Sequence, residues 1–170
     1  MVIRFTDGSR TRPDPDLIWA WLKEVPDPEI PVVSVVDLGM IRDVVWDGDR
    51  LRVAVTPTYS GCPATSVITL DIRRALEARG LDDVAIEICR APAWTTDWIT
   101  PEGKEKLRAY GIAPPAQTAK CAGMLAQAEI RCPQCGSLQT EIVSEFGSTP
   151  CKASYRCLSC LEPFDYFKPF

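Results

Sequence analysis

The sequence of 170 residues contains no histidine. Imidazole is the usual general base beside a serine or cysteine nucleophile, and it is the commonest nitrogen ligand of protein-bound metals. Its absence excludes the hydrolytic sites that are built on Ser–His or Cys–His pairs. Any metal ligands must therefore come from thiolates, carboxylates or the backbone, which draws attention to the eight cysteines.

The chain also lacks an excess of positive charge. It carries 19 lysine and arginine residues against 23 aspartate and glutamate residues, for a formal net charge of −4, and its sequence pI is about 4.9. Proteins that bind DNA or RNA generally have a basic face and a high pI. The composition therefore argues against a nucleic-acid partner.

Long apolar runs are missing as well. The longest uncharged stretch, residues 53–70, is interrupted by Pro57, Gly61 and Pro63, so it does not have the pattern of a membrane span. The first seven residues carry charges where an export signal would be apolar. We therefore expect a cytoplasmic protein without a membrane association, whose cysteines are metal ligands or free thiols rather than disulfides.

Cysteines are concentrated near the C-terminus in two C-x₂-C pairs. Cys132 and Cys135 form the first pair, Cys157 and Cys160 form the second, and 21 residues separate them. Four thiolates at this spacing are typical of a zinc ribbon, in which they hold one Zn²⁺ tetrahedrally. A segment of about forty residues rarely builds a sufficient core without such a metal. We predict a zinc ribbon over residues 130–170, with iron as the other metal that four thiolates suit.

The two pairs differ in the residue after their second cysteine, and the tail holds one more thiol. Gly136 comes after the first pair and permits the tight turn of a metal knuckle, whereas Leu161 comes after the second. Cys151 is an alternative ligand, because its separation from Cys135 also fits a ribbon. We favour the C-x₂-C pairs, since closely spaced ligands close small chelate loops at low entropy cost.

Residues 13–115 have the pattern of one α+β domain. Apolar residues at helical spacing predict a first helix that starts near Asp14 or Asp16 and stops before Pro26. Residues 40–46 and 51–56 alternate on either side of an Asp-Gly-Asp turn, which predicts a hairpin.

The pattern continues with a second helix over residues 64–79 and a third strand over residues 84–89. A short helix that ends at Gly111 and a linker over residues 116–129 come next. Cys89 is expected in the core and Cys121 in the linker. The prediction is a small three- or four-stranded sheet with helices on one face, joined to a C-terminal zinc ribbon.

Two upstream residues are candidates for chemistry. Cys62 is predicted at the N-terminus of the second helix, where the helix dipole and free N–H groups stabilise a thiolate. Without a histidine base, metal or cluster contact is favoured over nucleophilic catalysis, and the alternative is a buried apolar side chain. Asp37 could face the same pocket, because its loop precedes the hairpin whose second strand leads to Cys62. Its alternative is a turn-forming aspartate.

Several motifs resemble known families. DPEIP at residues 27–31, VDLGMIRDV at residues 36–44 and TPTYSGCP at residues 56–63 resemble the iron–sulfur assembly domain of SufT-like proteins. PAWTTDWI, FGSTPCKA and EPFDYFK, which begin at residues 92, 146 and 162, are similar together with the cysteine-rich tail to the PaaD family of bacterial phenylacetyl-CoA epoxidase systems.

The resemblance implies an accessory protein of aerobic phenylacetate degradation rather than the catalyst of ring epoxidation. Its expected role is the maturation of an iron–sulfur cluster or metal centre of the phenylacetyl-CoA epoxidase complex. By this resemblance Cys62 and Asp37 occupy the positions that hold a transient iron ion or iron–sulfur cluster, and the zinc site falls on Cys132, Cys135, Cys157 and Cys160.

The partners expected from the same resemblance are proteins of the epoxidase complex, especially its iron–sulfur reductase. A homodimer is also compatible with the sequence. The alternative function is that of a structural subunit, which bridges components of the oxygenase complex without transferring metal.

Overall fold

The computed structural model describes residues 12–59, 61–115 and 130–169, which form helices and two small sheets. The first sheet contains three strands in the order β1 (Ile41–Asp47), β2 (Arg50–Val55) and β3 (Val84–Ile88). The second has the order β4-β7-β6-β5, with strands β4 (Ile112–Ala113), β5 (Thr140–Ser144), β6 (Lys152–Cys157) and β7 (Pro163–Phe167). This is the predicted α+β architecture with a cysteine-rich ribbon after it.

Local sequence signals explain the helix starts. The Asp14 side chain accepts a hydrogen bond from the N–H of Asp16, and proline occupies the first turn of α1 (Pro15–Leu22). Thr100 caps α3 (Pro101–Ala109) in the same way. Helix α2 (Thr65–Glu77) buries every fourth residue of one face in the core, namely Ile68, Ile72 and Leu76. None of the described helices is long and apolar enough to cross a bilayer.

The loop before β1, the loop after β2 and the loop after β3 lie at the same end of the first sheet. Strands β1 and β2 are antiparallel, whereas β2 and β3 are parallel, so Val55 is paired with Ile41 on one side and with Ile88 on the other. The Thr56 N–H donates to the Met40 carbonyl at 2.8 Å, and the Cys89 N–H donates to the Val55 carbonyl at 2.8 Å. The loops before β1 and after β2 therefore lie side by side.

The ribbon shares a sheet and a core with the residues before it. Strand β4 follows α3 and pairs in parallel with β7 of the ribbon. Phe167 and Cys151 are buried in the same core as the first sheet, and the Phe167 ring centroid lies 6.1 Å from that of Trp94. The predicted domain boundaries stay predictions. The predicted linker, residues 116–129, and Cys121 within it lie outside the described residues.

A second, smaller core belongs to the ribbon sheet. Tyr155 stacks on Phe164 with ring centroids 5.9 Å apart and meets Tyr166 edge-on at 5.5 Å. The buried members of this core are Ala113, Ile130, Cys132, Cys157, Phe164 and Tyr166. Two of the six are thiols of the C-x₂-C pairs, so the proposed metal ligands form part of the packing of the ribbon.

Candidate metal centres

The four cysteines of the C-x₂-C pairs converge at the end of the second sheet. Their sulfur atoms all lie within 4.8 Å of one another. The Cys132 and Cys160 Sγ atoms are 3.7 Å apart, and those of Cys135 and Cys157 are 3.5 Å apart. A tetrahedral Zn²⁺ with bonds of about 2.3 Å to sulfur has ligand–ligand distances of about 3.8 Å. The four thiols therefore fit such a metal ion.

The two turns that carry these thiols have the same form. Gly136 has φ +74°, and its N–H donates to the Cys132 carbonyl at 2.9 Å. Leu161 has φ +67°, and its N–H donates to the Cys157 carbonyl at 3.0 Å. The second turn thus adopts the glycine-type conformation with a leucine, at the steric cost that a Cβ carries in this region.

The thiols are poised for a cation. The N–H groups of Cys160 and Ser159 point at the Cys157 sulfur from 3.5 and 3.4 Å, and they lower the pKa of Cys157 to about 6. The Glu162 N–H acts to lower the pKa of Cys160, but desolvation and the neighbouring thiols outweigh it and raise that pKa to about 12. Because neighbouring thiolates repel one another, ionisation of one thiol disfavours ionisation of the next. A bound divalent metal would offset this repulsion and let all four thiols ionise.

Cys151, the alternative ribbon ligand, lies elsewhere. Its sulfur is 3.0 Å from Thr149 Oγ1 and 3.9 Å from Glu29 Oε2. Glu29 belongs to the loop before β1. Burial raises the pKa of the Cys151 thiol. The structure therefore brings the two C-x₂-C pairs together and places the fifth thiol of the tail against the first sheet's motif loops. The metal ligand set itself stays a prediction.

Asp37 is buried and is hydrogen-bonded to Ser34, Thr100 and Lys106. Its Oδ2 accepts hydrogen bonds from the Ser34 N–H and from Lys106 Nζ, each at 2.9 Å. Its own N–H donates to Ser34 Oγ at 3.0 Å, and its carbonyl accepts from the Thr100 N–H at 2.9 Å. Burial acts to raise the pKa of Asp37, but the hydrogen bonds from Ser34 and Lys106 outweigh it and hold that pKa below its ordinary value.

Close backbone packing surrounds the Asp37 loop. A Cβ on Gly103 of α3 would lie 2.8 Å from the Asp37 carbonyl oxygen, and a Cβ on Gly39 would lie 2.3 Å from the Trp98 carbonyl oxygen. The Trp94 indole N–H donates to the Leu38 carbonyl at 2.8 Å. The PAWTTDWI segment and α3 therefore clamp this loop in place.

Cys62 lies in a turn before α2. Its N–H donates to the Tyr59 carbonyl at 3.1 Å, and its own carbonyl accepts from the N–H of Thr65 at 3.3 Å and from Thr65 Oγ1 at 2.9 Å. The helix begins at Thr65 rather than at the predicted residue 64, because Pro63 and Ala64 complete the turn. Cys62 is half-buried, so its thiol is held by the fold and remains reachable.

Tyr59 connects the Cys62 turn to its surroundings. Its carbonyl accepts the hydrogen bond from the Cys62 N–H at 3.1 Å. Burial, followed by the nearby charges of Cys62, Glu29 and Cys151, raises the pKa of Tyr59 to about 12. The phenol therefore stays protonated and can donate a hydrogen bond to a thiolate.

The two upstream candidates, Asp37 and Cys62, lie in loops at the same end of the first sheet, but their side chains are not bonded to each other. Among the described residues no hydrogen bond or ion pair joins the side chains of Asp37 and Cys62. Asp37 faces a cavity of about 130 Å³ that is lined by Ser34, Lys106 and neighbouring loop residues, whereas Cys62 lies with Tyr59. Sequence reasoning missed Lys106, which also pairs with Glu102 at 2.9 Å. The i,i+4 spacing of Glu102 and Lys106 predicts their surface ion pair, but no local pattern predicts the contact of Lys106 with Asp37.

The fold and the thiol cluster define a two-part protein class, an iron–sulfur cluster assembly fold joined to a zinc ribbon. Residues 15–88 match the family described as iron-sulfur cluster assembly protein. Residues 116–168 match the PaaD zinc beta ribbon domain.

A relative that spans both parts identifies the family. The chain is 54% identical over 151 residues to an Escherichia coli (strain K12) protein that is named as one subunit of a "Putative 1,2-phenylacetyl-CoA epoxidase". The match covers 89% of this chain and 90% of that protein. The chain belongs to the PaaD family.

Two further similarities concern the first part alone. An Fe-S protein maturation auxiliary factor of Porphyromonas gingivalis is 38% identical over 88 residues, which are 51% of this chain and 83% of that protein. The crystal structure of a domain of unknown function, DUF59, from Bacillus anthracis superposes with a TM-score of 0.51 at 26% identity. The superposed region covers 55% of this chain and 90% of the Bacillus anthracis chain.

Proposed function

We propose that the protein is an accessory factor that helps to mature an iron–sulfur cluster or metal centre of a phenylacetyl-CoA epoxidase complex. Cys62 transiently binds the iron or cluster in this proposal, and the four ribbon cysteines hold a structural Zn²⁺. The observation that carries it is the half-buried Cys62 thiol beside Tyr59, in a fold that relatives named as Fe-S maturation factors share.

The placement of Cys62 suits a transient iron ligand. It lies at the carboxyl ends of the parallel strands β2 and β3, and open α/β sheets usually bind ligands at this end of their strands. Thiolate is the donor that iron–sulfur chemistry requires. A protein without histidine offers no imidazole base to turn this thiol into a hydrolytic nucleophile.

Asp37 acts on the site by positioning in this proposal. Its carboxylate is occupied by Ser34 and Lys106, so it orders the loop before β1 and fixes α3 against it. The ribbon, in turn, is a closed four-thiolate site without an open coordination position, which suits structure rather than transfer.

The proposal is tested on a client protein in cells. The iron–sulfur reductase of the epoxidase complex is purified from strains that carry wild-type protein, Cys62→Ser or Cys89→Ser, and its iron and acid-labile sulfide are measured. We expect several-fold lower cluster content with Cys62→Ser only, because Cys89 is a matched, half-buried thiol just after β3. A reductase that is fully loaded in the Cys62→Ser strain would overturn the proposal.

A bridging structural subunit is the second candidate. The Escherichia coli relative is named as a subunit, and the ribbon has apolar side chains at its surface, with Ile142 52%, Val143 64% and Phe146 67% exposed. This function predicts co-purification with the oxygenase at a fixed stoichiometry and full epoxidase activity with Cys62→Ser. Absence of the protein from the purified active complex would count against it.

A further inference from the structure

We propose that the zinc-loaded ribbon holds the Asp37 loop, residues 34–40, in its ordered conformation, and that Trp94 transmits this effect. The inference goes beyond the proposed function, in which the zinc is structural and Asp37 orders its own loop. It rests on that function only for the zinc ion in the ribbon. Trp94 thereby becomes a positioning residue, and the order of the loop depends on metal binding in another part of the chain.

Strand β7 connects the cysteine cluster to the core of the first sheet. Its first residue, Pro163, follows the turn of the second C-x₂-C pair, in which the Cys157 N–H donates to the Glu162 carbonyl at 3.0 Å. Its last residue, Phe167, is 1% exposed and belongs to the core of the first sheet. Strand β6 pairs with β7 along this length and itself ends at Cys157. The position of the Phe167 ring therefore depends on the folding of the turn that the metal closes.

Trp94 contacts both the end of β7 and the Asp37 loop. The ring centroids of Trp94 and Phe167 are 6.1 Å apart, and the ring planes are tilted by 48°. The Trp94 indole N–H donates to the Leu38 carbonyl at 2.8 Å in a buried hydrogen bond. A buried carbonyl that loses its donor carries a desolvation cost, so the indole stabilises this conformation of the loop. One side chain thus contacts the ribbon with its ring and the loop with its N–H.

A second set of contacts joins the ribbon to the same loop. Strand β4 follows α3 and pairs with β7, with Ala113 opposite Tyr166. Helix α3 carries Lys106, whose Nζ donates to Asp37 Oδ2 at 2.9 Å. A Cβ on Gly103 of the same helix would lie 2.8 Å from the Asp37 carbonyl oxygen, so the helix and the loop are packed too closely to shift independently. Strand β7 therefore reaches the loop through two different elements.

Zinc controls these contacts because the ribbon depends on its thiols for folding. Two of the four, Cys132 and Cys157, are buried in the ribbon's own core. A segment of about forty residues seldom folds without such a metal, and its folding is coupled to metal binding. Without the ion the thiols no longer fix β6 and β7, and Phe167 loses the strand that places it against Trp94. Helix α2 provides a contrast, because among the described elements it packs on α1 and β3.

The test is amide hydrogen exchange of the full chain, measured with Zn²⁺ in the ribbon and after its removal by a chelator under reducing conditions. The loop offers hydrogen-bonded amides, such as the Leu38 N–H to the Ser34 carbonyl at 3.1 Å and the Met40 N–H to the Val35 carbonyl at 3.0 Å. Amides of α2 are the internal control. Loops open locally at a lower free energy than the whole fold, so the two sets report separately. We expect zinc removal to speed exchange in the loop by on the order of tenfold relative to α2.

Trp94→Phe separates transmission from simple support. The variant removes the indole N–H and keeps an aromatic ring next to Phe167. Loop exchange in the zinc-loaded variant should be faster by on the order of tenfold, and zinc removal should then add much less than it adds in the wild type. A tryptophan that only supports the loop would leave the effect of zinc unchanged. Trp98→Phe is the matched control, since the Trp98 ring stacks on the Arg42 guanidinium, and it should retain the wild-type zinc effect.

A second pair of variants keeps the metal in place. Phe167→Leu removes the ring that contacts Trp94, whereas Phe164→Leu makes the same change in the ribbon's own core, where Phe164 stacks on Tyr155. At equal zinc content, we expect Phe167→Leu to speed exchange in the Asp37 loop several-fold and Phe164→Leu to leave it unchanged. Equal effects of the two variants would overturn the inference.

The outcomes separate the inference from the proposed function. A ribbon that binds zinc while the loop exchanges at the same rate with and without it overturns the inference and leaves the proposed function intact. Equal acceleration of the loop and α2 means that zinc stabilises the whole fold, which also overturns the inference alone. A full chain that binds no zinc overturns both the inference and the role of the ribbon in the proposed function.

Discussion

Asp37 is a buried carboxylate that three parts of the chain hold in place. Ser34 belongs to the same loop, Thr100 precedes α3, and Lys106 lies within α3. A buried charge is costly unless it is paired and hydrogen-bonded, and here the partners outweigh that cost because the pKa of Asp37 lies below its ordinary value. The aspartate therefore stabilises the loop in its ionised form.

We predict that Asp37→Asn lowers the free energy of unfolding by about 1–3 kcal/mol at pH 7. A lowered folded-state pKa gives stability that is complete above the unfolded pKa of about 3.9 and is lost as the pH falls through the folded value. The difference between wild type and variant should therefore shrink below about pH 4. Urea denaturation at pH 7 and at pH 3 measures it.

The matched control is Glu102→Gln, which removes the exposed partner of the same lysine. We expect a change of less than about 0.5 kcal/mol for this surface pair. An Asp37→Asn effect of equal size at both pH values would contradict the ionised role of Asp37.

The two ribbon turns are elements of the same form that differ in one residue. Gly136 adopts a positive φ without steric cost, whereas Leu161 adopts it with a Cβ. Leu161 is 68% exposed, so little packing compensates for the strain. The second turn holds its conformation through the backbone bond to Cys157 and the thiol cluster.

Leu161→Gly should therefore stabilise the metal-bound ribbon by about 1 kcal/mol. Because metal binding and folding of such a segment are coupled, this appears as about fivefold tighter Zn²⁺ retention in competition with a chelator. Leu158→Gly is the control, since Leu158 lies in the same turn without a positive φ. Equal retention in both variants would show that the Leu161 conformation carries no strain.

Local patterns predicted the elements of the first sheet well. Periodicity and turn residues indicated α1, the β1–β2 hairpin, α2 and β3, because each depends on neighbours within a few residues. The boundaries of α2 differ by one or two residues, since the turn that carries Cys62 extends to Ala64.

Contacts between distant segments were not predictable in this way. The short strand β4 pairs with β7, and Lys106 reaches Asp37 across 69 positions. Cys151 meets Glu29 across 122 positions. No local pattern encodes such pairings, because they arise only when the packed elements bring the chain together. The sequence therefore named Cys62 and Asp37 as candidates, which stay predictions, but it did not indicate most of the residues that surround them.

In the molecule as a whole, the ribbon and the first sheet share a core. Phe167, at the end of β7, is 1% exposed and packs with the first-sheet core and Trp94. The two parts should then unfold together rather than in separate steps.

We predict that Phe167→Ala destabilises the protein by about 3–5 kcal/mol and lowers the midpoint for both parts at once. Guanidinium denaturation followed by tryptophan fluorescence for the first part, and by Zn²⁺ release for the ribbon, measures the two midpoints. Phe146→Ala, at a ribbon phenylalanine that is 67% exposed, should change stability by less than about 0.5 kcal/mol. Separate midpoints in wild type would refute the shared core as a source of cooperativity.

The proposed function assigns permanent zinc binding to the ribbon cysteines and transient iron binding to Cys62, and metal analysis can separate these two roles. Wild type and Cys62→Ser are purified anaerobically, and zinc, iron and acid-labile sulfide are quantified for each. We predict that both proteins retain zinc and that only the wild type binds iron. Iron retained by Cys62→Ser, or zinc lost together with the iron, would refute this division.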